Sequence, residues 1–300
     1  MRSEVDADVL QWLMEGDPAI RWRVQRDLKG ASERTIATQR RKVATEGWGA
    51  RLLAVQNDDG GWGDGVYSPK WTSTTYTLLR LLWLGLPARH PAALKGCERL
   101  WEWQARWRAP EACVVGMAVR LTSYFGYDAP RLDGVVDYLL ANQLNDGGWN
   151  CSARHGEKSK HSSFHTSVMA LEALDAYEHA GGEVDPAVPT RGREFFLQHR
   201  LFRSHRTGAV AIRASTRFPA FPEWHFDVMR GLEHFAGVSA VRDERLGDAI
   251  QLVRDARRKD GRWSTYPQYP GRQWFQLEPP GASRWNTARA FRVLQWWDQP

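Results

Sequence analysis

The chain contains 300 residues, 42% of them hydrophobic and 25% charged, and this composition suits one large domain or two small ones. Its longest apolar run, around LLRLLWLGL, is interrupted by Arg80 and falls short of the roughly 18 residues that a membrane-spanning helix needs. Three cysteines without a disulfide spacing indicate a reducing cytoplasm. The net charge of +6 fits an anionic small substrate and predicts no nucleic-acid partner, and an arginine-rich composition without partner meaning is the alternative.

Six helices rich in apolar residues are predicted in chain order. Their sequences are DPAIRWRVQRDL, STTYTLLRLLWLGL, EACVVGMAVRLTSYFGY, SSFHTSVMALEALDAY, EWHFDVMRGLEHF and SRWNTARAFRVLQWW. Amphipathic helices alternate with them, and four of these end in glutamine, at Gln56, Gln104, Gln143 and Gln198. The repeating unit is therefore a helix hairpin of roughly 40 to 60 residues, used about six times.

The apolar set carries small residues among bulky ones, as helices crowded on all sides require. These small residues are Gly116, Ala118, Ala170, Ala173, Gly231 and Ala288. We expect the apolar helices inside and the amphipathic helices outside, in an all-α fold of the α6/α6 toroid type that forms one domain over residues 1–300. An open solenoid is the alternative architecture.

One short turn occurs twice intact, as VQNDDGGW at residues 55–62 and within NQLNDGGWNC at residues 142–151. A third, altered copy, RRKDGRW, closes on Trp263. We expect the leading glutamine to bond the turn, the glycines to allow positive φ, and the tryptophan to pack across the hairpin. The turn is thus predicted to brace one repeat against the next.

The pattern Q-x-x-D-G-G-W followed by an S-x-x-T-A-like inner helix resembles the repeat of the squalene and other class II terpene cyclases and of the protein prenyltransferase β-subunits. The resemblance runs over residues 45–298. It implies a toroid whose central cavity binds isoprenoids. The chain lacks the D-x-D-D acid that the cyclases place at the start of an inner helix, which argues against their usual protonation mechanism.

Candidate catalytic residues are expected where the inner helices begin. Alignment of these helices brings Tyr76, Cys113, His165, Glu223 and Asn286 to one ring of positions. Glu223 and Asp227 are one helical turn apart and are expected on one face, as proton donor or base, with Tyr76 beside them.

A zinc site is implied by the resemblance to the prenyltransferase β-subunits, which open one inner helix with D-x-C and the next with F/Y-H-T. The matching residues here are Glu111, Cys113 and His165, and Cys151 with His155 or His161 could add a ligand or replace Glu111. Glutamate in place of aspartate departs from that pattern. The alternative is that Cys113 is a packing residue and His165 a helix cap.

Substrate contacts are predicted from residues near the inner-helix starts. Arg106 and Arg108 precede Glu111 and are suited to bind a diphosphate, although solvated loop charge is the alternative. Trp107, Trp224 and Trp285 are suited to contact a hydrocarbon or a carbocation, or else fill the barrel.

These residues predict an isoprenoid-processing enzyme that binds an apolar or diphosphate-bearing substrate. Its chemistry is either cyclisation by a non-standard acid or zinc-assisted prenyl transfer. A non-catalytic binding or scaffold protein on the same toroid is the first alternative, and a sugar-cleaving α/α-barrel enzyme is the second. Peripheral contact with a membrane and the presence of a partner subunit stay open.

Overall fold

The structure is mostly α-helical. The computed structural model describes residues 5–106, 111–151 and 160–299, and these ranges contain 13 α-helices and one antiparallel pair of short strands, β1 (Trp263–Ser264) and β2 (Ala282–Ser283). The helices are α1 (Ala7–Met14), α2 (Pro18–Asp27), α3 (Glu33–Arg41), α4 (Gly47–Leu53), α5 (Thr74–Leu84), α6 (Pro91–Gln104), α7 (Ala112–Phe125), α8 (Ala129–Ala141), α9 (Phe164–His179), α10 (Ala187–Gln198), α11 (Val228–Gly237), α12 (Gly247–Asp255) and α13 (Arg284–Trp297). The predicted all-α class is confirmed.

Local sequence fixes the ends of several helices. The Asp17 side chain accepts a hydrogen bond from the Ala19 N–H at 2.9 Å where α2 begins, and Ser283 caps α13 by accepting from the Asn286 N–H at 2.9 Å. Gly85 ends α5 with a φ of 87°, a left-handed conformation that costs glycine little.

The helices of the apolar set are the buried ones, as predicted. All residues from 114 to 119 of α7 are buried. A Cβ built on Gly116 would lie 3.0 Å from the main-chain oxygen of Met169, so the α7 and α9 backbones approach closely because this position has no side chain. The small residue at 116 therefore serves helix packing.

The apolar helices pack against one another as well as against their outer partners. Contacts join α5 to α7, α7 to α9, α11 to α13 and α13 to α2. In the part of the chain that the structure describes, no helix combines the length and the apolar character required to cross a membrane.

The tryptophan of each D-G-x-W turn makes the same two hydrogen bonds in all three copies. The indole N–H groups of Trp62, Trp149 and Trp263 donate to the carbonyl oxygen ten residues earlier, at 2.8, 2.7 and 2.7 Å. Their main-chain N–H groups bond a hydroxyl of the following apolar helix at 2.9, 2.9 and 3.0 Å. All three side chains are fully buried, so the prediction of a structural brace is confirmed.

The glutamine of each intact turn ties the turn to the next outer helix. Gln56 Nε2 donates to the Gly60 oxygen at 2.7 Å and to the Ala92 oxygen, at the start of α6, at 2.8 Å. Gln143 repeats this pattern with Gly147 and Val188, at 2.7 and 2.9 Å. The turn therefore links consecutive hairpins as well as the two helices of its own hairpin.

Only the first glycine of each turn has the expected positive φ. The values are 84° at Gly60, 92° at Gly147 and 78° at Gly261. The second glycine is not in this region, and the third turn has Arg262 there. The prediction that both glycines supply positive φ is wrong for the second, which in the intact copies leaves room for a neighbouring hydroxyl.

Candidate metal centre

Two of the predicted zinc ligands lie together where α7 begins. Glu111 immediately precedes the helix and Cys113 is in its first turn. The Cys113 Sγ lies 3.7 Å from Glu111 Oε2. Together with Cys151 they form a group whose ligand atoms all lie within 4.8 Å of one another. This is the group of potential metal ligands that the described residues bring together.

Cys151 reaches this group because the second D-G-G-W turn ends beside α7. It follows Trp149 by two residues, and its side chain is buried. The Cys113 N–H lies 3.4 Å from Cys151 Sγ, which also lies 3.5 Å from the Thr166 hydroxyl of α9. Sequence analysis offers Cys151 only as an additional or replacement ligand, and the structure places it in the group itself.

The hydrogen bond between the Cys113 and Cys151 thiols shifts their pKa values in opposite directions. The hydrogen bond with Cys113 lowers the pKa of Cys151, and the Thr166 hydroxyl and the Cys113 N–H act in the same direction. The same hydrogen bond and burial raise the pKa of Cys113. Cys151 is thus the first of the two thiols to lose its proton, and the thiolate is the form of cysteine that can bind a metal.

His165 lies outside this group, contrary to the predicted set of Glu111, Cys113 and His165. Its Nδ1 accepts the Phe226 N–H at 2.8 Å, and its ring packs 5.1 Å from the Trp224 ring. Burial lowers the pKa of His165 to about 4, so the imidazole is neutral near pH 7. His161 is exposed, and its main-chain oxygen accepts from Asn150 Nδ2 at 2.7 Å.

Three predicted residues, Trp107, Arg108 and His155, lie outside the described residues. Arg106 is described and exposed at the end of the segment that follows α6. The role of Arg106 in binding a diphosphate stays a prediction.

Aromatic side chains lie close to the Glu111–Cys113–Cys151 group. The Tyr67 ring stacks on Trp103 at 5.8 Å and lies 5.4 Å from the predicted site residue Tyr76. Trp71 packs edge-on against Tyr76 at 4.8 Å. Burial is the main cause that raises the pKa of Tyr67 to about 12, and the charges of the three candidate ligands contribute to this shift. Tyr67 is therefore near enough to the group for its charges to act on the phenol.

The rings of Tyr67, Trp71, Tyr76 and Trp103, together with those of Trp224, His225 and Tyr269, form what we call the aromatic layer. His225 stacks between Trp224, at 3.8 Å, and Tyr269, at 3.5 Å. Lys70 Nζ lies 5.2 Å from the Trp224 ring and 5.5 Å from the Trp71 ring. Trp224 and Tyr76 are predicted from the sequence, but these partners are not. The aromatic content of the loop YSPKW, between the first turn and α5, is a signal for Tyr67 and Trp71 but not for His225 or Tyr269.

Glu223 and Asp227 do not share a helix face, so that prediction is wrong. Helix α11 begins only at Val228, and Glu223 lies in a turn with a φ of 55°. Glu223 is fully buried and accepts from Arg80 of α5, at 3.0 Å from Nε to Oε1.

Asp227 caps α11 instead of forming a pair with Glu223. Its Oδ1 accepts the Arg230 N–H at 2.8 Å, and its Oδ2 is buried without a hydrogen-bond partner in the described chain. Burial raises the pKa of Asp227 to about 6, and the charge of Arg289 opposes this shift. A carboxyl with such a pKa is suited to exchange a proton near neutral pH.

Residues 218–226 cross between the apolar helices, and we call them the crossing segment. Asn286 of α13 donates to the Phe218 oxygen at 2.7 Å, and the Phe221 ring stacks on Trp83 of α5 at 5.5 Å. The segment thus joins α13 to α5. It lies alongside a cavity of about 780 Å³, to which it contributes Ala220 and Pro222.

This cavity does not adjoin the predicted site residues Cys113 and His165. It is lined by the C-terminal halves of apolar helices and contains seven arginines and four carboxylates of the described chain. Trp285 is the predicted substrate-binding residue that lines it, whereas Cys113, His165 and Trp224 do not. Arginines within otherwise apolar helices, such as Arg120 and Arg289, are the sequence signal that could have indicated it.

No protein-family model matches this chain, and no curated protein matches it either. The resemblance to the cyclases and prenyltransferases therefore depends on the residues themselves. Those residues are the braced turns and the Glu111 to Cys113 start of α7.

Proposed function

We propose that this chain is a zinc-dependent enzyme on an α6/α6 toroid, acting on a substrate with an apolar, isoprenoid-like part. One observation carries the proposal: a carboxylate and two thiols lie with their ligand atoms within 4.8 Å of one another beside an aromatic layer. The substrate class comes from the resemblance to terpene cyclases and protein prenyltransferases.

Contacts between successive apolar helices support a closed ring. Besides the packing of α5 on α7, α7 on α9, α11 on α13 and α13 on α2, two polar contacts join the other neighbours. Trp22 Nε1 of α2 donates to the Leu84 oxygen of α5 at 2.9 Å, and Arg230 of α11 pairs with Glu172 of α9. The third D-G-x-W turn, at Gly261, lies against Val9 of α1, as the earlier turns lie against later outer helices.

The donor chemistry of the group fits zinc. Glu111, Cys113 and Cys151 would hold the ion through one carboxylate and two thiolates, which are ordinary zinc ligands. Three protein ligands leave one position for water or substrate, and a zinc ion so held supplies a Lewis acid or an activated nucleophile. Cys151, whose pKa is lowered, provides the thiolate with least competition from protons.

The aromatic layer supports an apolar substrate near the metal group. Tyr67 and Trp224 are partly exposed, and their rings are suited to contact hydrocarbon or a developing cation, with the buried Tyr76 and Trp71 packed behind them. Lys70 beside these rings is suited to bind an anionic head group. In this proposal Asp227, with its raised pKa, holds or releases a proton where the crossing segment meets α11.

The alternatives predict different properties. A sugar-cleaving enzyme needs two available carboxyl groups, and Glu223 is held by Arg80 in a buried ion pair. A scaffold protein needs no metal, and would leave the buried thiols as packing residues. The metal content therefore decides between the enzyme and the scaffold.

The test is elemental analysis of the purified protein and of single cysteine variants. We expect about one zinc per chain, and its loss in Cys113→Ala and in Cys151→Ala, because two of three protein ligands are thiols. Cys97→Ala is the matched control, since Cys97 is a buried free cysteine on α6 that lies outside the group. Protein that is metal-free and does not bind added zinc at micromolar concentration would overturn the proposal.

A further inference from the structure

The cavity of about 780 Å³ is formed by residues of α2, α5, α7, α9, α11 and α13, mostly towards their C-terminal ends. Its size lies within the range of roughly 300–1,000 Å³ that is usual for small-molecule sites. Glu111, Cys113 and Cys151 do not line it. Any ligand of this cavity is therefore bound by residues other than the candidate metal group.

Ion pairs within the cavity wall occupy its most buried carboxylates. Glu172 pairs with Arg120 at 2.6 Å and also with Arg230. Glu233 pairs with Arg289 at 2.7 Å. Two carboxylates are thus shared by three guanidinium groups, and the seven arginines of the lining outnumber its four carboxylates by three.

Three further arginines line the cavity without an ion pair to a described carboxylate: Arg23, Arg89 and Arg292. Arg23 is the most constrained of them. Burial lowers its pKa to about 9, so it is still a cation near pH 7. Its Nη2 donates to the Trp83 oxygen, while its Nε is buried without an acceptor in the described chain. A buried donor in this state favours a ligand that supplies an acceptor.

Two more polar groups in the cavity wall are buried and lack a partner among the described residues. His234 of α11 is 9% exposed and its Nε2 is unsatisfied, and Ser123 of α7 is 8% exposed with an unsatisfied hydroxyl. Both line the cavity. Leaving such groups unpaired costs about 1–3 kcal/mol each, which a bound ligand would recover.

Aromatic rings hold the guanidinium groups in place. Arg23 lies 4.8 Å from the centre of the Trp285 ring, and Arg230 lies 5.7 Å from that of Trp83. These contacts fix the positive groups before a ligand arrives, which reduces the entropy lost on binding.

We infer that this cavity binds a polyanionic small molecule, one carrying two or more phosphate or carboxylate groups. Arg23 and Arg292, which form no ion pair with a carboxylate of the described chain, are its principal anchors, with Arg89 as a further cation and the Ser123 hydroxyl and His234 Nε2 as neutral partners. Helix C-termini alone would favour cations, so arginines are required before an anion is stable there. The site is separate from the proposed zinc site.

The experiment is isothermal titration of the full chain with inorganic diphosphate and, separately, with citrate, at low ionic strength. We expect saturable binding of at least one of them, weakened by salt because the contacts are ionic. Tighter binding of diphosphate would identify phosphate as the preferred group, and tighter binding of citrate would identify carboxylate. Absence of saturable binding of either anion at millimolar concentration would overturn the inference.

Arg292→Gln is the informative variant, because this half-buried arginine lines the cavity and forms no salt bridge with a described carboxylate. We expect a loss of affinity of about tenfold or more. Arg213→Gln removes the same charge from an exposed position outside the cavity and should bind as the unmodified protein does. Equal affinities in all three proteins would contradict the inference. If the probes remove zinc, they should do so equally in Arg292→Gln and Arg213→Gln, so a difference in affinity between the two variants does not come from zinc. The zinc content of Arg292→Gln, measured separately, then shows whether the loss of anion binding is independent of the proposed zinc site.

Discussion

Arg80 and Glu223 form a fully desolvated ion pair that ties the crossing segment to α5. Arg80 Nε and Nη2 donate to the same carboxylate oxygen at 3.0 and 2.5 Å, and the two side chains are 3% and 0% exposed. Gln273 Oε1 accepts a further hydrogen bond from Arg80 Nη2 at 2.7 Å. Burial raises the pKa of Glu223, and Arg80 opposes this shift. The pair fixes the position of the crossing segment, which the repeat pattern of the sequence does not predict.

Removal of one partner of this pair should destabilise the protein strongly. Arg80→Met leaves Glu223 as an unpaired buried carboxyl, and we expect the free energy of unfolding to fall by about 3–5 kcal/mol. The double variant Arg80→Met with Glu223→Met should be less destabilised, because no charge remains buried. Urea unfolding followed by circular dichroism checks both. An equal or greater loss of stability in the double variant would contradict this expectation, because the unpaired charge of Glu223 would then not be what destabilises Arg80→Met.

The tryptophan of the first turn should be needed for stability and not for the metal. Trp62→Ala removes a fully buried side chain and its bond to Leu52, and we expect a loss of about 3–5 kcal/mol in unfolding free energy. The zinc content of the folded variant should stay unchanged. Val241→Ala, at a position 90% exposed, is the control and should change stability by less than about 0.5 kcal/mol. Lost zinc in a stably folded Trp62 variant would contradict the structural role of the turn.

Asp227 should make stability depend on pH. Its pKa is about 6 in the folded protein against 3.8 in an unfolded chain. The stability contributed by the protonated carboxyl is therefore fully present below about pH 4 and is lost as the pH rises through 6. Between about pH 4.5 and 7.5 this loss is about 2 kcal/mol. Asp227→Asn, which keeps an oxygen for the Arg230 N–H, should lack it. Parallel pH profiles of stability for the two proteins would disprove the assignment.

Two glycines should respond in opposite directions to substitution by alanine. Gly134 is an exposed residue of α8 with open space around its Cβ position, so Gly134→Ala should stabilise the protein by about 0.5–1 kcal/mol. Gly147 has a φ of 92°, and a Cβ there would lie 2.4 Å from the Arg191 oxygen. Gly147→Ala should therefore destabilise by more than about 1 kcal/mol. Thermal unfolding checks both, and a stabilised Gly147 variant would be incompatible with the described turn.

Repeats in the sequence predict the parts of the fold that local chemistry determines. The apolar runs become α5, α7, α9 and α13, and the D-G-x-W turns make the hydrogen bonds expected of a brace. Each of these features depends on residues close in the chain or on one face of a helix. They are accordingly visible in a single sequence.

The parts that the sequence does not predict depend on long-range packing. The repeat template extends α11 back to Glu223, whereas the ion pair with Arg80, 143 residues away in the chain, holds Glu223 in the crossing segment. Similarly, Cys151 joins Glu111 and Cys113 because the turn after α8 ends beside α7. His165 opens α9 as expected, but the N–H of Phe226 occupies its Nδ1.

The central claim, a metal held by Glu111, Cys113 and Cys151, is tested most directly by cobalt(II) substitution. Two thiolate ligands should produce sulfur-to-cobalt charge-transfer absorption in the near ultraviolet. We expect Cys113→Ser and Cys151→Ser each to remove a large part of that absorption, while His165→Ala and Cys97→Ser retain it. A cobalt-loaded protein without this absorption, or one in which only the Cys97 variant loses it, would contradict the account.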